Sequence, residues 1–167
     1  MKNVIFTRVS IRKYEDRPVE EEKIERLLRA AMAAPSTANQ QPWEFYVVTD
    51  RAKIEELSKV TPFTGAAAGA PVVFVPCYRT TRVKDVEWGL LDLSAATENL
   101  LLEAVAQGLG ACWMGIAPNK DRIADCDAIL GITEADEIHS FCIIPVGYPA
   151  EARPQTDRYE EDRVHRI

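Results

Sequence analysis

The segment from Gly89 to Gln107 places Leu90, Leu91, Leu93, Ala96, Leu100, Leu101, Leu102 and Val105 over most of the circumference of one helix. A helix that is apolar nearly all round has to be covered from several sides. A chain of 167 residues forms a single domain, 1–167, with a real core. Such a domain offers few elements to surround this helix alone, so the sequence predicts a homodimer that buries part of it. Asp92, Glu98 and Asn99 interrupt the apolar surface. Polar residues in a buried helix cap, pair or hydrogen-bond a neighbouring backbone, and these three are read as structural.

Around that helix the pattern alternates. Ile24, Leu27, Leu28, Ala31 and Met32 make a stripe that predicts a helix over 19–33, with Pro18 in its first turn, Glu20 to Glu22 at its positive end and Pro35 as its stop. Trp43 to Thr49 reads as a strand, and Asp50 caps a helix running to about Val60. A small-residue loop, Thr64 to Ala70, precedes a buried strand from Val72 to Tyr78, whose Pro76 indicates an edge position or a bulge. After a charged connection over 79–88 comes the long helix, ended by Gly108 and Gly110. A third strand follows near Ala111 to Met114, then a helix from Asn119 to Leu130 closed by Gly131, and a last strand from His139 to Val146. The polar tail over 148–167 has no core of its own and is expected to pack on the partner subunit. The alternation gives an α+β or α/β sandwich.

Composition excludes several classes. The hydrophobic fraction is 47%, the charged fraction 28% and the net charge −6. An acidic chain is poorly suited to non-specific binding of nucleic acid or anionic membrane. Val4-Ile5-Phe6 is the only apolar run near the N-terminus, and Pro71 and Pro76 break the apolar stretch from Gly65 to Cys77, so a cytoplasmic protein is expected. Cys77, Cys112, Cys126 and Cys142 form no C-x-x-C pair and are read as free buried thiols. Nothing in the spacing supports a structural zinc or a G-x-S-x-G hydrolase, and His139 and His165 are not expected to be catalysts.

Two segments carry chemistry. Lys2, Arg8, Arg12 and Lys13 all precede the first acid, Glu15. Guanidinium forks match phosphate oxygens, and Ser10 adds a donor between the arginines. The second segment, Pro35-Ser36-Thr37-Ala38-Asn39-Gln40-Gln41-Pro42-Trp43, lies between a helix and a strand. Asn39 and Gln41 pair donor with acceptor, as a planar ring with a polar edge requires, while Pro35 and Ser36 can pack on its face. The run Gly108-Leu109-Gly110-Ala111-Cys112-Trp113-Met114-Gly115 follows a helix instead of opening one, so it is not a dinucleotide fingerprint. Cys112 within it sits in an apolar neighbourhood that makes a thiol inert.

With its R-x-S-x-R segment at Arg8, Ser10 and Arg12, its P-S-x-x-N-x-Q-P-W segment from Pro35, and a G-Y-P…P…R ending at Gly147, Pro154 and Arg158, the chain resembles the FMN-dependent nitroreductase family. The resemblance runs from about Arg8 to Arg158. It implies an FMN-binding α+β fold with a mainly antiparallel central sheet flanked by helices, and a homodimer with FMN at the subunit interface. It assigns the FMN phosphate to Arg8, Ser10, Arg12 and Arg158. Asn39 and Gln41 take the pyrimidine edge, Pro35 and Ser36 reach the flavin of the opposite subunit, and the backbone N–H groups of Met114 and Gly115 approach N5 and O4. Many relatives carry a polar or basic residue where Val9 stands. The implied activity is transfer of hydride from NADH or NADPH to FMN and on to a nitroaromatic, a quinone or a similar small acceptor by a ping-pong cycle. The short connection at Arg79 to Glu87 predicts an open pocket in which Arg79 and Arg82 contact anionic acceptors or nucleotide phosphates. Two alternatives stand beside this: a flavin carrier or sensor without turnover, and a dimeric module that grips another phosphate ligand without flavin.

Overall fold

The computed structural model describes residues 3–167; Lys2 of the N-terminal cationic cluster lies outside them. Four helices and six strands follow one another: α1 (Glu21–Met32), β1 (Trp43–Val48), α2 (Arg51–Leu57), β2 (Val72–Arg79), α3 (Val86–Ala106), β3 (Gly110–Ala111), β4 (Met114–Gly115), α4 (Lys120–Leu130), β5 (Ile138–Ser140) and β6 (Cys142–Gly147). The strands form one sheet in the order β1-β2-β6-β3, with β4 also on β6 and β5 also on β2. Every strand pair is antiparallel.

Helices cover both faces. α1 and α3 pack Ile24, Leu27, Leu93, Leu100 and their neighbours on Val72, Phe74, Ile144 and Val146. On the other face α2 and α4 cover Val73, Val75, Cys77 and Ile143 with Ile54, Leu57 and Cys126. Burial on both faces explains why β2 reads as a continuous apolar run although its partners are antiparallel. The expected α+β sandwich is the observed architecture.

Pro76 lies in the middle of the sheet, not at its edge, and the reason is a bulge. β2 pairs with β6 through Phe74↔Ile144 and with β5 through Cys77↔Ser140, so the register slips by one residue between them. The Pro76 carbonyl accepts from Phe141 N (2.8 Å), which puts the missing N–H of Pro76 on the bulged side, where no ladder bond is lost.

A second proline divides the expected third strand. β3 and β4 keep one register against β6, but Pro145 stands opposite Cys112 and offers no N–H there. The ladder therefore breaks at Cys112 and Trp113. The expected last strand, His139 to Val146, is likewise divided at Phe141 into β5 and β6, and the other differences are at element ends. α1 starts after Pro18, at a Glu20 cap, and α2 stops at Leu57. α3 begins at Val86, three residues before Gly89, because Asp85 accepts from Glu87 N and starts the helix.

The N-terminal segment is stitched along the sheet. Ser10 bridges Ala111, Ile11 N donates to Ala111 O (3.0 Å), and Tyr14 bridges Pro149. Gly110 permits this approach, since a Cβ there would lie 2.7 Å from Ile11 Cβ. Beyond Glu151 the tail is exposed throughout. No helix among the described residues is long and apolar enough to cross a membrane.

Candidate functional site

The pairing of the N-terminal segment with the tail brings four of the expected residues together. Arg8, Ser10, Arg12 and Arg158 line one cavity of about 270 Å³, with Arg153 and Gln155. Gln155 Nε2 donates to Arg8 O (2.9 Å), and Arg158 Nη1 donates to Gln155 Oε1 (3.3 Å), so Gln155 ties the tail arginine to the first segment. Glu151 completes the frame: one oxygen accepts from Arg12 N (2.6 Å) and the other faces Arg153 Nε (3.2 Å). That backbone N–H is the main reason its carboxyl is held below the usual range, with Arg153 adding to it. Arg8 leans on α3 through Glu98 (3.3 Å). Guanidinium groups converging on a small open cavity make a site for an anion with several oxygens. A larger apolar cavity, lined by Val4, Ile11, Val105 and Leu109, shares Val9 and Arg153 with the first.

The second segment is a strained loop. Ala38, Asn39 and Gln41 all have positive φ (49°, 56° and 46°), a conformation that costs a residue with a Cβ about 1–3 kcal/mol. Asp92, inside α3 and 5% exposed, holds the loop in this shape. Its carboxylate accepts from Thr37 N (2.8 Å), Thr37 Oγ1 (3.1 Å) and Gln40 Nε2 (2.7 Å). Ser36 Oγ accepts from Gln41 N (3.0 Å), and Gln41 Nε2 donates to Asn39 Oδ1 (3.0 Å). This leaves Asn39 Nδ2 as a donor and Gln41 Oε1 as an acceptor at the surface. Pro35 precedes this turn, three residues after the end of α1.

Asp92 and Glu98 lie six residues apart on α3, about 9 Å along its axis and on different sides of it. Within one chain, the anion cavity and the amide loop are thus held by the same helix at separate points. Asn99, the third polar residue of that helix, donates to Ala30 O (3.1 Å). All three do the structural work expected of them.

Met114 is buried against α4's side of the sheet, while Gly115 is exposed. A methyl on Gly115 would meet no atom within 4 Å, so the backbone of β4 is open to a flat partner. Beside it the half-exposed Trp113 ring tilts on Phe141, with centroids 5.5 Å apart. Arg79 is engaged by the fold: Nε contacts Glu44 Oε1 (2.7 Å) and Nη1 donates to Asp136 O (3.0 Å). Arg82 is exposed, with Nη1 3.5 Å from Gln41 O. Glu151, Gln155 and Gln40 were not among the expected site residues. Each acts through side-chain contacts far away in sequence, which leave no local pattern to read.

Anion cavity, strained amide loop and open strand edge are the features with which this antiparallel sandwich could hold a phosphate-bearing planar ligand. Comparison gives the lineage. A family model described as Nitroreductase family matches residues 5–62 and 58–148, and the chain belongs to that family. It is 40% identical over 161 residues, 96% of this chain and 83% of the other, to a Methanothermobacter thermautotrophicus protein provisionally named NADH dehydrogenase/NAD(P)H nitroreductase. A Parabacteroides distasonis structure of the same provisional name superposes with a TM-score of 0.92 at 40% identity, covering 98% of this chain and 95% of that one. An FMN-dependent nitroreductase from Clostridium difficile matches at a TM-score of 0.89 and 29% identity, over 99% and 98% of the two chains.

Proposed function

We propose that this protein is a cytoplasmic, homodimeric FMN-dependent oxidoreductase that takes hydride from NADH or NADPH and reduces nitroaromatic, quinone or similar acceptors in a ping-pong cycle. The observation that carries the reading is the meeting of Arg8, Ser10 and Arg12 with Arg158 around one small cavity. The names of the relatives, which include NAD(P)H nitroreductase and FMN-dependent nitroreductase, agree with it.

The residues fit FMN. Arg8, Arg12 and Arg158, with Ser10, would hold its phosphate, and Glu151 and Gln155 would keep that frame assembled before the ligand arrives. Asn39 Nδ2 and Gln41 Oε1 would read the pyrimidine edge, and Pro35 and Ser36 would pack on a flavin held by the other subunit. The N–H groups of Met114 and Gly115 would donate toward N5 and O4, where fixed donors stabilise developing negative charge. When bound, FMN supplies hydride acceptance and electron transfer to the second substrate. A dimer is supported by α3, whose Trp88 and Leu91 are 51% and 61% exposed, an apolar surface left uncovered in one chain. Of the tail expected to pack on the partner, residues 148–158 lie along their own chain, at Tyr14, Arg12 and Arg8, so the segment proposed to reach the partner is the exposed remainder from Tyr159. Arg82, and Arg79 beside Glu44, are the proposed contacts for anionic acceptors. Unchanged KM values in R79A and R82A for NADH, NADPH and every acceptor tried would remove that assignment.

The test is a visible spectrum taken without oxygen. The expected result is a yellow protein that bleaches with NADH or NADPH and regains colour with a nitroaromatic or a quinone. A yellow protein that neither nucleotide bleaches would instead be a flavin carrier. A colourless protein that FMN neither colours nor stabilises thermally would overturn the cofactor assignment.

A further inference from the structure

The edge of the sheet at β5 carries a polar arrangement that neither the anion cavity nor the amide loop uses. Asp127 of α4 is 7% exposed. Its Oδ1 accepts from Ser140 N (2.9 Å) and Ser140 Oγ (2.6 Å), which satisfies the unpaired N–H of the edge strand. That task needs only one oxygen. The other, Oδ2, lies 3.0 Å from His139 Nδ1. A carboxylate can only accept, so Nδ1 carries a proton, and in the neutral imidazole Nε2 is then the acceptor. The Tyr78 ring, tilted at 5.6 Å, braces the imidazole from the side.

His139 lines a cavity of about 440 Å³ between α4 and β5. Its walls are mainly apolar: Ile123, Ala124, Ala128, Ile132 and Ile138. The volume lies in the roughly 300–1,000 Å³ range of small-molecule sites, which combine apolar walls with a few placed polar groups. Lys120, Glu134 and Asp127 reach the lining; both Asp127 oxygens are taken up by Ser140 and His139, and Lys120 and Glu134 offset each other, which favours a neutral ligand. A half-exposed histidine on an edge strand needs no buried partner for the fold to stand. A carboxylate that fixes its tautomer instead presents one oriented acceptor to whatever fills the apolar cavity.

We propose that this cavity is a second binding site, for a small neutral aromatic molecule with one hydroxyl, a simple phenol, whose O–H donates to His139 Nε2 while its ring lies against Tyr78 and the isoleucines. The site is independent of the FMN reading, since none of its residues belongs to the anion cavity, the amide loop or β4.

The probe is 4-methylphenol, titrated into the protein as purified and followed by amide and imidazole NMR shifts. 4-Methylanisole, which has the same ring without the donor, is the control. Saturable shifts are expected at His139, Tyr78 and Ile132, with affinity falling about tenfold for 4-methylanisole and for H139F, the loss of one buried hydrogen bond. A128W fills the cavity from an exposed helical position and should abolish those shifts without changing the thermal melt. Equal affinity for phenol and methyl ether, no saturation at millimolar phenol, or shifts that persist in A128W would each overturn the proposal. The ligand comparison on the wild-type protein decides the matter even where H139F folds poorly.

Discussion

Replacing Asp92 by alanine tests how the amide loop is held. The carboxylate accepts three hydrogen bonds, from Thr37 N, Thr37 Oγ1 and Gln40 Nε2. Hydrogen bonds to a charged group are worth about 1.5–3 kcal/mol each, but the half-buried loop donors regain water once the anchor is gone. Against them stands the strain of three positive-φ residues, at least about 3 kcal/mol together. Once released, the loop sheds that strain by leaving its conformation, so global stability should fall by only about 2–4 kcal/mol. The larger effect should be local, with Thr37 to Gln41 becoming accessible. Urea unfolding gives the first quantity, and hydrogen exchange with limited proteolysis gives the second. D92N should fall between wild type and alanine. An asparagine can still accept from Thr37 N, while its own amide would oppose Gln40 Nε2 unless Gln40 turns and gives up its contact with Lys84 N. A loss below about 0.5 kcal/mol in D92A, the range of an ordinary surface substitution, with unchanged protection of the loop, would refute the account.

Three further outcomes follow from packing and burial. Tyr14 Oη lies 2.6 Å from Ile11 O and 3.2 Å from Pro145 O, and burial raises its phenol well above the usual range. The folded state therefore favours the protonated form, so this stability is complete below the unfolded pKa of about 10 and is lost as pH rises beyond it. Y14F should be about 1 kcal/mol less stable at pH 8 and should lose less than wild type between pH 8 and 11; parallel curves would contradict this. G110A would place a methyl 2.7 Å from Ile11 Cβ and push the N-terminal segment off β3, costing about 1–3 kcal/mol. I11A in the same background should recover part of the melting temperature and of the FMN affinity, and no recovery would sink the steric explanation. Burial pushes the Cys126 thiol up to about 12 and also raises Cys77 and Cys142. With Cys112 buried as well, iodoacetamide at pH 8 should label no thiol before unfolding and all four afterwards.

What the chain shows before folding is mostly what local chemistry determines. α4 runs from its Asn119 cap, which accepts from Arg122 N, to Gly131 at φ 77°, and both signals are single residues at the right offset. The arginine-serine-arginine spacing and Arg158 are visible as a motif, though their meeting depends on a ladder between segments about 140 residues apart. Strand limits are less legible, because Pro76 and Pro145 act through the residues opposite them. One marks a bulge inside the sheet, the other a gap between two strands, and the sequence alone cannot say which strand lies opposite. The loop conformation was hidden for another reason. Ala38, Asn39 and Gln41 are not glycines, so nothing local announces their positive φ; the cause is a carboxylate more than fifty residues downstream.

Helix α3 brings these observations to one physical cause. Its apolar circumference made it the strongest constraint on the fold, and most of that surface is buried under α1 and the sheet. Two of the polar residues it retains, Asp92 and Glu98, are set where the amide loop and the first arginine of the anion cavity meet it. Asp92 offers an uncompensated charge to a loop that supplies three donors, and Glu98 meets the first arginine of the anion cavity. Buried or half-buried carboxylates are costly unless satisfied, so each forces its segment into one arrangement instead of several. The surface that remains uncovered, at Trp88 and Leu91, begins one turn before Asp92 on the same helix. A partner seated there would press on the helix that holds both segments. Assembly, loop strain and anion binding would then share a single rigid element, and the site would be preorganised by the same packing that makes the core.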